Sequence, residues 1–149
     1  MVDNEDEFLN TNIKGMMMTL LGHWNEQMDL ARSGTEFAAI RPSDMRVFGQ
    51  LRGRTMPLSV LHRELSVSRQ AAQKTVSRLV EQGLLKAELA PGNHRDKILK
   101  ITPKGQRWRK LAAQEIKKIE DGCAEVIGEK GKESLRKLLI ELANNIERA

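Results

Sequence analysis

A three-residue turn, Ser66-Val67-Ser68, separates two stretches of sequence that both have the apolar spacing of a helix. Before the turn, leucines recur at three- and four-residue intervals from Leu58 onward. After the turn, Ser68 is a suitable N-cap, and a second apolar stripe continues to Gly83, a residue type common just beyond a helix C-terminus. Two helices joined so closely cannot share one axis, so the outer face of the second helix is predicted to be available to a partner.

A basic β-hairpin is predicted directly after this pair of helices. Residues 84–90 and 96–101 are short strand candidates, and Pro91-Gly92-Asn93 between them has the composition of a turn. Thr102-Pro103 then indicates a new helix, because Thr can cap it and Pro is tolerated in its first turn. This order of elements fits DNA: the second helix can enter the major groove, and the hairpin can reach the adjacent backbone or minor groove.

Longer amphipathic helices are predicted at the two ends of the chain. Apolar residues recur at helical spacing along 12–33 and along 103–149, where residues 128–131 interrupt the pattern. We expect a mainly α protein with a small β-wing, in which 1–149 form a single domain and 42–102 form a winged helix-turn-helix module. The small module cannot cover the broad apolar stripes of the terminal helices. They are therefore predicted to dimerise with a second copy of the chain.

Charge is distributed unevenly along the 149 residues. The segment from Ser68 to Lys110 has 11 basic and 3 acidic residues, whereas the remainder has 14 basic and 17 acidic ones. Such segregation suggests a polyanionic partner for one region, although a merely solvated basic surface is the alternative. The longest apolar runs are shorter than the ~20 residues of a membrane span. The acidic first ten residues and the single Cys123 favour a cytoplasmic protein without an intrachain disulfide.

The outer face of the second helix carries side chains suited to DNA. With Ala72 at the centre of the inner face, we expect base contacts from Gln70, Ala71 and Lys74, because base contacts come mainly from the first half of such a helix. A solvated helix face is the alternative. The full set of predicted DNA-binding residues is Ser68, Arg69, Gln70, Ala71, Gln73, Lys74, Ser77, Arg78, His94, Arg95 and Lys97.

The tip of the hairpin has a cationic sequence, Asn93-His94-Arg95, followed by Lys97. A cation on a thin hairpin can insert into a narrow, electronegative minor groove, and Arg95 is the best candidate. Alternatively, Arg95 pairs with Asp96 or another carboxylate of the same subunit. Both can hold if a carboxylate orients the guanidinium.

A resemblance to the MarR family, the multiple antibiotic resistance regulators, rests on three segments. They are Pro42–Leu51 (PSDMRVFGQL), Leu58–Leu85 (LSVLHRELSVSRQAAQKTVSRLVEQGLL) and Asn93–Gly105 (NHRDKILKITPKG). The resemblance implies a winged helix-turn-helix homodimer that binds pseudo-palindromic operators in double-stranded DNA. It also implies control of transcription, often repression, that a small molecule frequently relieves.

The sequence departs from the family pattern at two positions. Asn93 stands where the family usually has an Asp two residues before the wing arginine, so that residue cannot brace Arg95 ionically. Ser66 stands where Gly is common in the turn, and Ser does not readily adopt a strongly left-handed backbone. Neither change removes the predicted DNA-binding surface.

Other chemistry is sparse in this sequence. We find no catalytic constellation, phosphate-binding loop or metal-ligand spacing, so we expect neither an enzyme nor a cofactor. Cys123 lies on an apolar stripe and is expected to be a core or interface residue. The Met16-Met17-Met18 run is expected to pack in the core or dimer interface. The alternative is a pocket for a small apolar or aromatic effector that Met17, His23 and Trp24 line. The alternative function is a winged-helix protein–protein adaptor that does not bind DNA.

Overall fold

The computed structural model describes residues 4–89, 91–92 and 95–146. The chain divides into two compact units. The central unit is Asp29–Ala112, and the terminal unit combines the two ends of the chain, up to Met28 and from Ala113 onward. The elements in chain order are α1 (Asn4–Thr11), α2 (Ile13–Ala31), α3 (Pro42–Gln50), β1 (Met56–Pro57), α4 (Leu58–Glu64), α5 (Arg69–Glu81), β2 (Leu85–Leu89), β3 (Lys97–Ile101) and α6 (Pro103–Asn145).

The hydrophobic core lies in the central unit. Leucines at the inner faces of α4 and α5 are fully buried, and the Phe37 and Trp108 rings pack with their centroids 5.4 Å apart. Arg32 is also buried, where it pairs with Asp29 at 3.0 Å and lies 5.9 Å from the centre of the Trp108 ring. The buried hydrophobic residues are Phe37, Ile40, Met45, Phe48, Leu51, Met56, Leu58, Leu61, Ala72, Val76, Leu79, Leu84, Leu85, Leu99 and Trp108.

A three-stranded antiparallel sheet in the order β1-β3-β2 completes the central unit. The strands β2 and β3 form the predicted hairpin, in register from Leu85 opposite Ile101 to Leu89 opposite Lys97. The strand β1 adds only two residues, with Pro57 opposite Ile98. A mainly helical fold with a small β-wing is therefore confirmed.

The terminal unit has no comparable core. None of its described residues is buried, and it holds most of the large apolar side chains that are exposed, from Phe8 in α1 to Ile146 after α6. The helix α6 is broken at Gly128, whose backbone (φ 77°, ψ 165°) is not helical, within the predicted interruption. None of the helices in the described ranges is both long and apolar enough to cross a membrane.

Candidate nucleic-acid interface

The helix α5 begins at the predicted cap. The backbone of Ser68 is extended, and its hydroxyl accepts a hydrogen bond from the backbone N–H of Ala71 at 3.1 Å. This bond satisfies one of the N–H groups that a helix leaves free at its start. The start of α5 is therefore fixed by a local interaction, and the side chains of Arg69, Gln70 and Ala71 in its first turn are exposed.

The end of α5 is also fixed by local hydrogen bonds. Gly83 has a left-handed backbone (φ 79°) and donates its N–H to the carbonyl of Val80 at 2.9 Å, while Leu84 donates to the carbonyl of Leu79 at 3.0 Å. This pair of bonds is the Schellman arrangement, and buried Leu84 supplies the accompanying apolar anchor. The chain passes directly from this helix end into β2.

The two faces of α5 differ as expected in all but one position. Ala72, Val76 and Leu79 are buried, but Val80, whose spacing also places it on the inner stripe, is 38% exposed. Val80 follows fully buried Leu79, and one residue corresponds to a rotation of about 100° around the helix, so Val80 lies at the edge of the stripe rather than at its centre. The outward residues that the structure leaves exposed are Ser68, Arg69, Gln70, Ala71, Lys74 and Ser77.

Arg78 is held differently from its neighbours. Its Nε and Nη2 donate to the two carboxylate oxygens of Asp44, both at 2.9 Å, and Nη2 also donates to Thr75 Oγ1 at 3.2 Å. The Asp44 carboxylate, buried in the first turn of α3, raises the pKa of Arg78 through this hydrogen bonding. The ion pair connects α3 to α5, so only part of the Arg78 guanidinium is available to a phosphate.

Gln73 and Ser77 lie together on α5, where the Gln73 side-chain amide donates to Ser77 Oγ at 3.4 Å. Gln73 is half-buried, unlike Gln70 and Lys74 on the outermost ridge. Lys74 makes no ion pair within the described part of the chain and extends into solvent. The ridge formed by Gln70, Ala71 and Lys74 is thus the most accessible part of α5.

The turn before α5 contains a strained residue. Ser66 has a left-handed backbone with φ 54°, which a residue with a side chain seldom adopts. Its N–H donates to the carbonyl of Arg63 at 3.2 Å, and the N–H of Val67 donates to the carbonyl of His62 at 3.3 Å. The turn therefore has the geometry that favours Gly, and its hydrogen bonds hold Ser in that geometry.

The wing carries cations on both strands. Lys86 and Lys100 lie opposite each other in the ladder, and both pair with Glu88, at 2.8 and 3.2 Å. Glu88 raises the pKa of Lys86, and the two lysines lower the pKa of Glu88. Arg95 is exposed near the tip, and Lys97 is half-buried at the start of β3. His94 and Asn93 lie outside the described residues.

Contacts that the sequence did not reveal join the residues just before β3 to the paired helices. The guanidinium of Arg69, the first residue of α5, donates to the backbone carbonyl of Arg95. The carboxylate of Asp96 accepts from the backbone N–H of Ser59 at 3.1 Å and from its hydroxyl at 2.5 Å. The Ser59 hydroxyl lowers the pKa of Asp96, and the charges of Arg69 and Arg63 act in the same direction.

Two open cavities lie within the terminal unit, and the larger has a volume of about 500 Å³. Trp24 lines both, together with apolar side chains of α6 such as Ile119 and Leu135. Met17 and His23 are exposed residues of α2 and are not among the lining residues. Of the three side chains predicted for an effector pocket, only Trp24 is thus in a position to contact a ligand in these cavities. In the described ranges, no three His, Cys, Asp or Glu side chains are placed to hold a metal ion.

Solved structures of transcriptional regulators share this fold. A MarR protein from Peptoclostridium difficile superimposes with a TM-score of 0.75 at 18% identity, over 97% of this chain and 92% of its own. FabT from Streptococcus pneumoniae, solved in complex with DNA, has a TM-score of 0.72 at 16% identity, and the match covers 89% of this chain and 93% of FabT. PcaV from Streptomyces coelicolor, solved with its natural ligand, has a TM-score of 0.66 at 17% identity, and the match covers 93% of this chain and 96% of PcaV. No family model matches the chain, and no curated protein is significantly similar to it in sequence. The chain has the winged-helix fold of the MarR transcriptional regulators.

Proposed function

We propose that this protein is a sequence-specific DNA-binding regulator of transcription that acts as a homodimer. The observation that carries the proposal is the exposed polar and cationic ridge of α5 beside a wing with exposed basic residues. A protein that uses its winged helix only to bind other proteins has no need of cations on both elements. The fold shared with FabT, which was solved with DNA, supports the same interpretation.

Base recognition is assigned to the accessible ridge of α5. Gln70 can pair with the edge of an adenine, Ala71 can contact a thymine methyl group, and Lys74 can bind a guanine. Arg69, Ser77 and the accessible part of Arg78 are assigned to phosphates, which position the helix but do not read the sequence. Ser68, Gln73, His94, Arg95 and Lys97 complete the proposed DNA-binding set.

A homodimer accounts for the exposed apolar side chains of the terminal unit. Phe8 and Leu9 on α1 are each 67% exposed, Ile13 on α2 is 76% exposed, and Leu138 and Ile146 are more than half exposed. A stable soluble protein seldom leaves such a surface in water, and a symmetric partner would bury the same surface on both copies. Two-fold symmetry would place the two α5 helices in successive major grooves, ~10 bp apart.

Repression relieved by a small molecule is the proposed mode of control. The cavity that Trp24 and Met28 line is apolar enough for a small aromatic or aliphatic ligand. The ligand would act by binding more tightly to the spacing of α5 helices that does not fit DNA. The PcaV structure with its natural ligand is the neighbour that favours a ligand-responsive protein.

Duplex binding at several salt concentrations tests the DNA proposal. Arg95→Ala is expected to weaken binding to all sequences and to reduce the salt slope by about 0.9 for each phosphate charge that the variant no longer neutralises. The matched control is Lys137→Ala, which removes an exposed lysine of α6 in the terminal unit and should leave both the affinity and the salt slope unchanged. Gln70→Ala and Lys74→Ala, which remove base contacts, should instead change the ranking of operator variants. Failure of the wild type to bind random duplex or heparin at low salt would favour the adaptor function.

Sedimentation at several protein concentrations tests the homodimer. The expected species has twice the 16.9 kDa mass of one chain. Leu142→Lys, on the exposed apolar stripe of α6, should shift the equilibrium toward the monomer. Lys137→Ala again serves as the control. A wild-type protein that stays monomeric at micromolar concentration would contradict the dimer.

A further inference from the structure

The carboxylate of Asp96 continues the sheet where its backbone pairing ends. The short strand β1 stops at Pro57, which lies opposite Ile98 in β3. Two residues further along each segment, Ser59 and Asp96 meet through the two hydrogen bonds that the Asp96 carboxylate accepts. The side chain of Asp96, the residue before β3, thus joins the wing to α4 just beyond the point where the backbone pairing between β1 and β3 ends.

The same carboxylate caps α4 from outside the helix. The N-cap residue of α4 is Pro57, whose side chain has no hydrogen-bonding atom. Ser59, the second residue of α4, donates its backbone N–H to Asp96 instead. A carboxylate at this end also interacts favourably with the positive end of the helix dipole. The capping group is supplied by a residue 37 positions away, so its removal would affect the wing and α4 together.

The neighbouring residue is tied to α5. The backbone carbonyl of Arg95 accepts a hydrogen bond from the side chain of Arg69, in the first turn of α5. Two consecutive residues just before β3, Arg95 and Asp96, thus contact the first turns of α5 and α4. These contacts restrict the direction in which the wing, with Arg95 near its tip, leaves the helices.

We propose that Asp96 is a positioning residue that holds the wing in register with α5, and that it thereby strengthens DNA binding although it is negatively charged. Asp96 can have this role only if the protein binds DNA as proposed above. A carboxylate near a polyanion ordinarily weakens binding, so its removal should ordinarily tighten it. The positioning role predicts that removal of the carboxylate weakens binding instead. The direction of the change in affinity therefore distinguishes the two effects.

The test is the affinity of the full-length protein for a random-sequence duplex at several salt concentrations. Asp96→Ala is expected to weaken binding by on the order of tenfold, as when members of one network are uncoupled. Asp96→Asn keeps one acceptor oxygen for the backbone N–H of Ser59, its amide NH2 can donate to the Ser59 hydroxyl, and the charge is removed, so it should bind at least as tightly as the wild type. Ser59→Ala keeps the backbone hydrogen bond only and should be intermediate.

The matched control is Glu88→Ala, which removes a carboxylate from the same wing. Glu88 pairs with Lys86 and Lys100 and makes no ion pair with α4 or α5 in the described ranges, so this change should tighten binding. A double-mutant cycle supplies a second readout: Arg95→Ala should cost much less in the Asp96→Ala protein than in the wild type. Circular dichroism of each variant establishes whether it is folded. If Asp96→Ala is not folded, Ser59→Ala and Asp96→Asn still test the proposal.

Two results would overturn the inference. The first is tighter or unchanged binding by Asp96→Ala, as for Glu88→Ala, and the second is additive losses in the cycle with Arg95→Ala. In both cases the wild type still binds duplex, and the proposed function stands. If the wild type binds no duplex at low salt, it is the proposed function that fails.

Discussion

Substitution of Gly105 by Ala tests how closely the start of α6 packs against the core of the central unit. A Cβ atom at this position would lie 2.6 Å from the backbone oxygen of Leu84, 2.7 Å from Ile101 Cγ2 and 3.1 Å from Phe48 Cζ. The Leu84 oxygen accepts the N–H of Thr102 at 3.1 Å, so it cannot move aside without loss of that bond. The added methyl group therefore has to displace α6, the sheet or both.

The expected magnitude combines two opposing effects. Ala is favoured over Gly in a helix by ~1 kcal/mol. Overpacking of a buried site ordinarily costs ~1–3 kcal/mol, and a contact with backbone places Gly105 toward the upper end. We expect a net loss of ~2 kcal/mol in the free energy of unfolding, or roughly 4–8 °C in Tm for a chain of this size.

Urea unfolding followed by circular dichroism measures this loss, at one protein concentration because self-association also changes apparent stability. The control is Gly49→Ala in α3, where a new Cβ meets nothing within 4 Å. That change should stabilise the protein by ~0.5–1 kcal/mol through helix propensity alone. If Gly105→Ala is stabilised as much as Gly49→Ala, the close approach of α6 to Leu84 is refuted.

Three further predictions concern the contacts around α5. Ser66→Gly should stabilise the protein by up to ~1 kcal/mol in urea unfolding, because Gly adopts φ > 0 without strain. A lower free energy of unfolding would contradict this and would mean that the Ser66 side chain itself stabilises the fold. Asp44→Ala should lower both the urea midpoint and duplex affinity, because Arg78 loses the partner that connects α5 to α3; an unchanged midpoint would show that the pair is only a surface contact. The hydrogen bond from Ser59 lowers the pKa of Asp96 below its ordinary value of about 3.8. The stability that this bond contributes is therefore present above that pH, and it is lost as the pH falls through the lowered pKa. The stability difference between the wild type and Asp96→Asn should therefore shrink below about pH 4, and a difference independent of pH would contradict this.

Local signals in the sequence predict the framework of the site. The cap at Ser68, the helix end at Gly83 and the cap at Thr102 each depend on neighbouring residues, and all three are present. The turn at Pro91-Gly92 likewise separates the two strands at the expected place. Each of these features is decided by backbone geometry within a few residues, which a pattern along the chain can capture.

Interactions between distant residues are not predictable in the same way. Asp44 and Arg78 are 34 positions apart, and Ser59 and Asp96 are 37 apart, so no spacing in the sequence links them. The strand β1 has two residues, one of them a proline, which is too short to produce an alternating pattern. The helix α1 is also absent from the sequence-based prediction, although its acidic first turn is a signal of a helix N-terminus as well as an argument against a signal sequence.

The ion pairs of the central unit also reduce the number of basic residues that can contribute to the salt dependence of DNA binding. If all 11 basic residues of segment 68–110 met phosphates, a dimer would have a salt slope of about −20. Four of them pair with carboxylates of the same chain, namely Arg78, Lys86, Lys100 and Arg107. If these ion pairs persist in the complex, at most seven basic residues per subunit keep an uncompensated charge, and the slope should not exceed about −13 in magnitude. A steeper measured slope would mean that the internal pairs open on the DNA, so the salt dependence distinguishes a preformed interface from one that rearranges.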